Sequence, residues 1–196
     1  TVSTLTRHLL EEPGRPVGLI GTVRYHLGDR ELPSFRTTPE AADLYPMLRS
    51  MLAGGCSEAV MEVSSHGIHQ SRVAGMQMEI AVFLNLTRDH LDYHKNMESY
   101  FVEKRKIFNG ENGKLPKIAI INGDCPYGKR LIEELPPQVR ILSFGLPLKR
   151  IPYISQTSRS HQSAFTKMPT VEGTGVVSLT KTLILILELK VKDNKS

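Results

Sequence analysis

The sequence contains only two cysteines among its 196 residues, Cys56 and Cys125, and they lie far apart. Neither belongs to a C-x-x-C pair or to a Cys/His cluster, so the spacing excludes both a disulfide framework and a structural zinc site. We therefore expect two buried free thiols.

Long apolar runs are also absent. The longest unbroken run, residues 183–187, has five residues, whereas a membrane-spanning helix needs roughly 18. The first residues lead directly into a polar, periodic segment without the apolar core of a signal peptide. The sequence thus predicts no membrane insertion and no export signal, and it favours a cytoplasmic location.

A basic surface of the kind that binds nucleic acid is not evident, although the formal net charge is +5. Residues 147–196 hold 8 Lys and Arg against 3 Asp and Glu, whereas the first 146 residues hold 17 of each kind. Because the whole excess lies at the end of the chain, the body is neutral and a nucleic-acid partner is not expected.

The composition is that of a folded globular protein. Hydrophobic residues make up 40% and charged residues 23%, which excludes a disordered or collagen-like chain. The length suits one domain and an additional segment better than two domains.

Apolar periodicity predicts strands that alternate with helices. The predicted helices cover 2–12, 39–52, 97–108 and 127–134, and the predicted strands cover 17–23, 58–63, 80–86, 117–121 and 140–144. This order favours an α/β fold with a mostly parallel sheet flanked by helices. Ligands bind beyond the carboxyl ends of such strands, so functional residues are expected there.

The sequence changes in character after residue 146. Ser and Thr become frequent from 155 to 163, and one alternating segment, 187–192, predicts a half-buried strand without an evident partner. We therefore divide the chain into a domain over 1–146 and a tail over 147–196 that is expected to pack poorly. A change of reading frame is the favoured interpretation of the tail, and a genuine insertion is the alternative.

Two clusters of polar residues follow predicted buried strands. Glu62-Val-Ser-Ser-His-Gly67 places a carboxylate, two hydroxyls and an imidazole at one strand end; its serines could equally cap a helix. Asn85-Leu-Thr-Arg-Asp-His-Leu-Asp-Tyr-His94 follows the next strand. His90 and His94 have the spacing of a metal-ligand pair, although a solvated loop is the simpler interpretation.

Two further segments could contact an anion or a nucleotide. Thr37-Thr38-Pro39-Glu40 precedes a predicted helix, whose N-terminus suits a phosphate or carboxylate group, but it could be only a helix cap. Asn122-Gly-Asp124 follows the strand at 117–121 and is an ordinary turn sequence in an α/β protein.

Taken in order, these segments resemble the Mur ligases over residues 1–146. The resemblance rests on Thr37-Thr38-Pro39, on Glu62-Val-Ser-Ser-His-Gly-Ile68 with Gln70 and Arg72, on Asn85 to His94, and on Met97-Glu98-x-Tyr100-x-x-x-Lys104. Within that family the pattern is most similar to the members that add the third residue of the peptidoglycan stem peptide. The resemblance implies a P-loop-type central ATPase domain.

The resemblance also implies a reaction. ATP would phosphorylate the terminal carboxylate of UDP-MurNAc-L-Ala-D-Glu, and the amine of an amino acid would then displace phosphate from the acyl phosphate. Mg²⁺ would be the cofactor, because negative charge gathers in both steps. Which amino acid is added does not follow from these residues.

The resemblance assigns roles to ten positions. Three residues would form the catalytic metal site: Glu62, His90 and a carbamylated Lys104. Five would bind the uridine nucleotide-peptide: Thr37, Thr38, Ser64, Gln70 and Arg72. Two would approach the nucleotide: Asn122 and Asp124. Without the resemblance, Lys104 would be interpreted as a solvated helix lysine.

The sequence departs from the family pattern at its start. The family has a glycine-rich phosphate loop ending in Gly-Lys-Thr, and Thr1 to Leu10 resembles the helix that follows this loop. The isolated chain is therefore expected to bind ATP weakly and to be inactive, and the complete enzyme is expected to be a monomer. The alternatives are a P-loop-type nucleotide hydrolase, which would use Glu62 and a water, and a noncatalytic scaffold with this fold.

Overall fold

A computed structural model of the chain describes residues 2–145 and 183–189. The helices in these ranges are α1 (Val2–Leu10), α2 (Ala41–Ala53), α3 (Ser65–His69), α4 (Leu91–His94), α5 (Met97–Asn109) and α6 (Pro126–Glu134). The strands are β1 (Val17–Ile20), β2 (Arg24–His26), β3 (Glu31–Pro33), β4 (Glu58–Val63), β5 (Ile80–Phe83), β6 (Ile118–Asn122), β7 (Arg140–Phe144) and β8 (Leu183–Glu188).

The strands form one sheet in the order β3-β2-β1-β4-β8-β5-β6-β7. Strands β1 and β4 pair in parallel, as do β5 with β6 and β6 with β7, whereas β8 is antiparallel to both of its neighbours. The predicted α/β fold with helices flanking the sheet is therefore confirmed. The sheet is mixed rather than mostly parallel, because three pairs of the described strands are parallel and four, including β1 with β2 and β2 with β3, are antiparallel.

The central strands are apolar because both of their faces are covered. In β4 every residue from Ala59 to Val63 is buried, and all four residues of β1 are buried. Near-continuous apolar runs are typical of strands with helices on both sides. Two apolar clusters result, a large one that includes Phe83 and Phe108 and a smaller one around Val60 and Ile184.

Strand β8 is the main departure from the sequence-based expectation. It belongs to the segment that was expected to pack poorly, yet it lies between β4 and β5 and its residues Leu183–Leu185 are almost fully buried. For residues 183–188 the expectation of poor packing is wrong. Their apolar side chains suit a central strand whose two faces are both buried. Residues 147–182 and 190–196 of the predicted tail lie outside the described residues.

Smaller differences concern the ends of elements. The predicted strand over 17–23 ends at Ile20, which leaves Gly21 and Thr22 beyond its carboxyl end. The hairpin of β2 and β3 and the single turn of α4 were not predicted, because each is too short to have a clear period. Among the described residues, no helix is long and apolar enough to cross a membrane.

Candidate functional site

The carboxylate of Glu62 lies at the carboxyl end of β4 and is held from two sides. The hydroxyl of Ser3, in α1, donates to Oε1, and Thr22 donates to Oε2 from its backbone nitrogen (3.1 Å) and from its hydroxyl (2.6 Å). Gly21 lies next to the same carboxyl group, because a Cβ added at Gly21 would be 3.4 Å from Cδ of Glu62. Glu62 is 9% exposed, so this carboxylate is fixed at the sheet edge.

Thr38 ties the segment before α2 to the end of β4. Its hydroxyl accepts from the backbone nitrogen of Ser64 (2.9 Å) and lies 3.2 Å from the carbonyl oxygen of Glu62. Gly67 permits this approach, because a Cβ there would lie 2.7 Å from Cγ2 of Thr38. Thr38 is 1% exposed, and its predicted role in substrate binding stays a prediction.

Arg72 is buried next to the same segment. Its guanidinium donates to the carbonyl of Thr38 (2.7 Å) and to the side-chain oxygen of Gln70, and it forms an ion pair with Glu40 (2.9 Å). Its Nε is buried without a hydrogen-bond partner. The structure thus brings Thr38, Ser64, Gln70 and Arg72 together beside the end of β4, and their role in substrate binding stays a prediction.

Beyond β5, imidazole and phenol rings form a second cluster. The ring of His66 lies 5.1 Å from that of His90 and 4.0 Å from that of Tyr93, between ring centroids. His94 stacks on Tyr100 at 5.0 Å and its Nε2 lies 2.8 Å from the Ser65 hydroxyl. Burial lowers the pKa of both His66 and His94, so these rings favour the neutral form.

His90 occupies a strained position at the start of α4. Its backbone has φ 53° and ψ 27°, in the left-handed region, and Lys95 at the other end of α4 also has a positive φ. Such a conformation costs a non-glycine residue about 1–3 kcal/mol. Its side chain is 44% exposed, which leaves the imidazole accessible to a ligand.

Lys104 is not the solvated helix lysine that the sequence alone would indicate. It is 1% exposed, and its Nζ lies 5.2 Å from the centroid of the Tyr100 ring. Burial lowers the pKa of Lys104 to about 7, while the charge of Asp89 acts in the opposite direction. Near neutral pH a large fraction of this amine is therefore uncharged and nucleophilic.

Comparison with known proteins identifies the family. The family profile described as "Mur ligase middle domain" matches residues 1–180. The chain belongs to the Mur ligase middle-domain family.

The relatives and the structural neighbour of this Mur ligase domain have the same name. A UDP-N-acetylmuramoyl-L-alanyl-D-glutamate–2,6-diaminopimelate ligase of Geobacter metallireducens is 42% identical over 150 residues, 74% of this chain and 29% of the relative. One of Thermosynechococcus vestitus is 45% identical over 147 residues, again 74% and 29%. A solved structure of a ligase of that name matches with a TM-score of 0.65 and 31% identity, covering 76% of this chain and 30% of the neighbour. The chain thus spans about three tenths of its relatives' length.

The two predicted nucleotide-binding residues of this domain lie at the carboxyl end of β6, where Asn122 is the last residue of the strand and Asp124 follows it. Asn122 is buried, donates to the carbonyl of Leu84 (2.9 Å) and accepts from the backbone nitrogen of Asp124 (2.9 Å). These bonds join the ends of β5 and β6. Contact of Asn122 and Asp124 with a nucleotide stays a prediction.

The donor atoms of the domain suit magnesium, with substrate supplying the rest of the coordination. Within residues 2–145 and 183–189, no group of three or more His, Cys, Asp or Glu side chains could hold a metal. Mg²⁺ in phosphoryl-transfer sites uses one or two carboxylates together with phosphate oxygens and waters. The fixed carboxylate of Glu62 fits this pattern.

Two of the three predicted metal-site residues share a neighbour, and the metal site itself stays a prediction. His90 and Lys104 both approach Tyr100, since the His90 ring centroid lies 6.0 Å from that of Tyr100. No described contact joins Glu62 to either of them, so the convergence of all three stays a prediction. Ser3 and Thr22, which hold Glu62, were not predicted as site residues, because Thr22 lies within the predicted strand 17–23 and only the end of β1 at Ile20 places it beyond the strand.

Replacing Lys104 with methionine should change how stability depends on pH. Because folding lowers the pKa of Lys104 to about 7, the unfolded chain binds one more proton than the folded chain between pH 7 and the ordinary lysine value near 10.4. The wild-type free energy of unfolding should therefore rise relative to Lys104→Met by up to about 1.4 kcal/mol per pH unit in this window. Below pH 7 the difference in the free energy of unfolding between the wild type and Lys104→Met should be constant.

The measurement is urea unfolding of both proteins at pH 6, 7, 8 and 9 in buffer purged of carbon dioxide. The methionine variant removes the titration of this one group and retains that of every other group. Parallel stability curves across the whole range would show that the Lys104 amine is not perturbed by folding.

Proposed function

We propose that this chain is the central domain of an ATP-dependent ligase that adds the third amino acid to UDP-MurNAc-L-Ala-D-Glu in peptidoglycan precursor synthesis. The observation that carries the proposal is the burial of Lys104, which is 1% exposed, has its Nζ 5.2 Å from the centroid of the Tyr100 ring and has a pKa lowered to about 7. A lysine in this state is costly for a structural role, because an ammonium group loses its hydration when buried. It suits a residue that must react as a neutral amine.

Carbamylation would give Lys104 its function. The neutral Nζ attacks the carbon of CO₂, a C–N bond forms, and loss of the amine proton to solvent gives a carbamate. The product replaces a cation with an anionic group that presents two oxygens, which are ligands that magnesium prefers. We propose that Glu62, His90 and carbamylated Lys104 are the protein groups that hold Mg²⁺ here.

Magnesium, when bound, would neutralise the charge that develops on the transferred phosphoryl group. The chain's own residues would then orient the acceptor. Arg72 is a cation at the edge of the substrate segment, and Ser64 and Gln70 present polar atoms nearby. A guanidinium in this position suits a carboxylate or phosphate of the nucleotide-peptide.

We further propose that the added amino acid is 2,6-diaminopimelate, because the relatives are named for that substrate. We propose that the complete protein acts in the cytoplasm as a monomer. Its partners would be ATP, the UDP-MurNAc-dipeptide and the amino acid.

A chimeric enzyme tests this function. Residues 2–189, which retain β8, replace the matching central segment of the Geobacter metallireducens ligase, whose remaining parts supply the other domains. With ATP, Mg²⁺, UDP-MurNAc-L-Ala-D-Glu and 2,6-diaminopimelate, we expect ADP, phosphate and the tripeptide product in equal amounts, measured by coupled phosphate release and mass spectrometry.

The matched control is the same chimera with Glu62→Gln, which should lose at least a hundredfold in turnover. A folded chimera that releases phosphate at the same rate without the UDP-MurNAc-dipeptide would indicate a nucleotide hydrolase instead. A folded chimera with no turnover of any kind would favour a noncatalytic scaffold.

A further inference from the structure

We propose that Thr22 is a positioning residue of Glu62, acting on Oε2 while Ser3 acts on Oε1, and that it links this carboxylate to Thr37 in the segment before α2. The inference rests on the proposed function for the metal-binding role of Glu62. It goes beyond that function because it adds a residue outside the motifs of the resemblance. It also determines which group donates in each hydrogen bond between Thr37, Thr22 and Glu62.

The backbone brings Thr22 to Glu62. Strands β1 and β4 are parallel neighbours with Ile20 opposite Met61, so the residues just beyond Ile20 lie beside Glu62. Because β1 ends there, the Thr22 amide is not used within the sheet and donates to Oε2 of Glu62, as does the Thr22 hydroxyl. Two donors from one residue on a single oxygen restrict the rotation of the carboxylate.

The hydroxyl protons determine the direction of the link. A carboxylate only accepts hydrogen bonds, so the one hydroxyl proton of Thr22 goes to Glu62 at 2.6 Å. The Thr37 hydroxyl lies 3.0 Å from that of Thr22 and must therefore be the donor in this pair. Its proton is then occupied, and Thr37 can offer a substrate only acceptor lone pairs. A substrate hydroxyl or N–H group fits this position, whereas a phosphate or carboxylate oxygen does not.

Thr22 itself is exposed, which makes the proposal testable. Thr22→Val removes the hydroxyl and retains the shape and the backbone donor, and it changes no buried packing. Thr22→Ser restores the hydroxyl. Thr4→Val, at an exposed position in α1 that has no described hydrogen bond to Glu62, is the matched control for a threonine-to-valine change.

The first measurement is the affinity of the full chain for Mn²⁺, used as the probe for magnesium and followed by the electron paramagnetic resonance of the unbound ion. We expect Glu62→Gln to weaken binding at least tenfold and Thr22→Val to weaken it three- to tenfold. Thr22→Ser and Thr4→Val should remain within twofold of the wild type.

The second measurement does not depend on a metal. Three-bond couplings in isotope-labelled protein report the side-chain rotamers of Glu62, and we expect one rotamer in the wild type and in Thr22→Ser but averaged rotamers in Thr22→Val. A single rotamer in Thr22→Val would overturn the proposal. If Glu62→Gln binds Mn²⁺ as well as the wild type does, the metal role of Glu62 fails, and the couplings still decide the role of Thr22.

Discussion

Replacing Leu185 with aspartate should leave the chain unfolded at room temperature. Leu185 is fully buried in β8 and pairs with Met61 in β4 and Ala81 in β5. An aspartate there would bury an unpaired charge and lose the apolar contacts, at a cost above about 4–5 kcal/mol. Domains of this size are stable by only about 5–15 kcal/mol. Urea unfolding followed by far-ultraviolet circular dichroism measures the change.

Leu142→Asp is the matched control. Leu142 lies in β7 at the edge of the sheet and is 41% exposed, so the same substitution should cost only about 1 kcal/mol. Equal stability of the two variants would mean that β8 does not hold the centre of the sheet in solution.

The large effect expected at Leu185 follows from the topology. Strand β8 pairs with β4 over six positions and with β5 over three. On one side of it lie β1 to β4, and on the other lie β5 to β7. Because β4 and β5 do not pair with each other, β8 supplies the backbone hydrogen bonds that unite these two groups of strands.

The position of β8 could not have been predicted from its periodicity alone. The run over 183–187 has the same apolar character as β4 and β5, and in that sense it signals a strand buried on both faces. The charged residues that follow it favoured a half-buried strand instead. Pairing between strands far apart in sequence depends on tertiary contacts, which a local pattern does not contain.

The site was predictable to the extent that it follows the strand ends. Glu62 and Asn122 are at or near the carboxyl ends of β4 and β6, where an α/β fold places its ligands. Thr22 was hidden because the apolar run 17–23 includes it, and only the end of β1 at Ile20 places it in the site. The direction of its hydroxyl proton depends on the neighbours of Thr22, Glu62 and Thr37, and no sequence spacing contains that information.

Lys104 is the residue for which sequence and structure differ most. Helix α5 has its apolar residues on one face, and a lysine in such a helix is ordinarily on the solvated face. The tertiary contacts of α5 bury it beneath Tyr100 instead. Only the family resemblance predicted a role for this side chain, and its burial now gives that role a physical basis.

Substitution of Lys104 in the chimeric ligase should therefore abolish nearly all turnover. Lys104→Ala removes the group that would carry the carbamate, and kcat should fall at least a thousandfold, about 4 kcal/mol in the activation barrier. Lys104→Arg retains a cation but cannot be carbamylated. It should be no more active than the alanine variant.

A short carboxylate distinguishes a carbamate from a simple cation at position 104. The alanine variant leaves space where acetate can place two oxygens, so acetate at high concentration should restore part of its kcat. No rescue is expected for Lys104→Arg, because the arginine side chain fills that space. In the wild type, ¹³C-labelled bicarbonate should give a carbamate resonance that Lys104→Ala lacks. Near-normal turnover of Lys104→Arg would mean that Lys104 acts as a positive charge, since an arginine can supply a charge and cannot supply a carbamate.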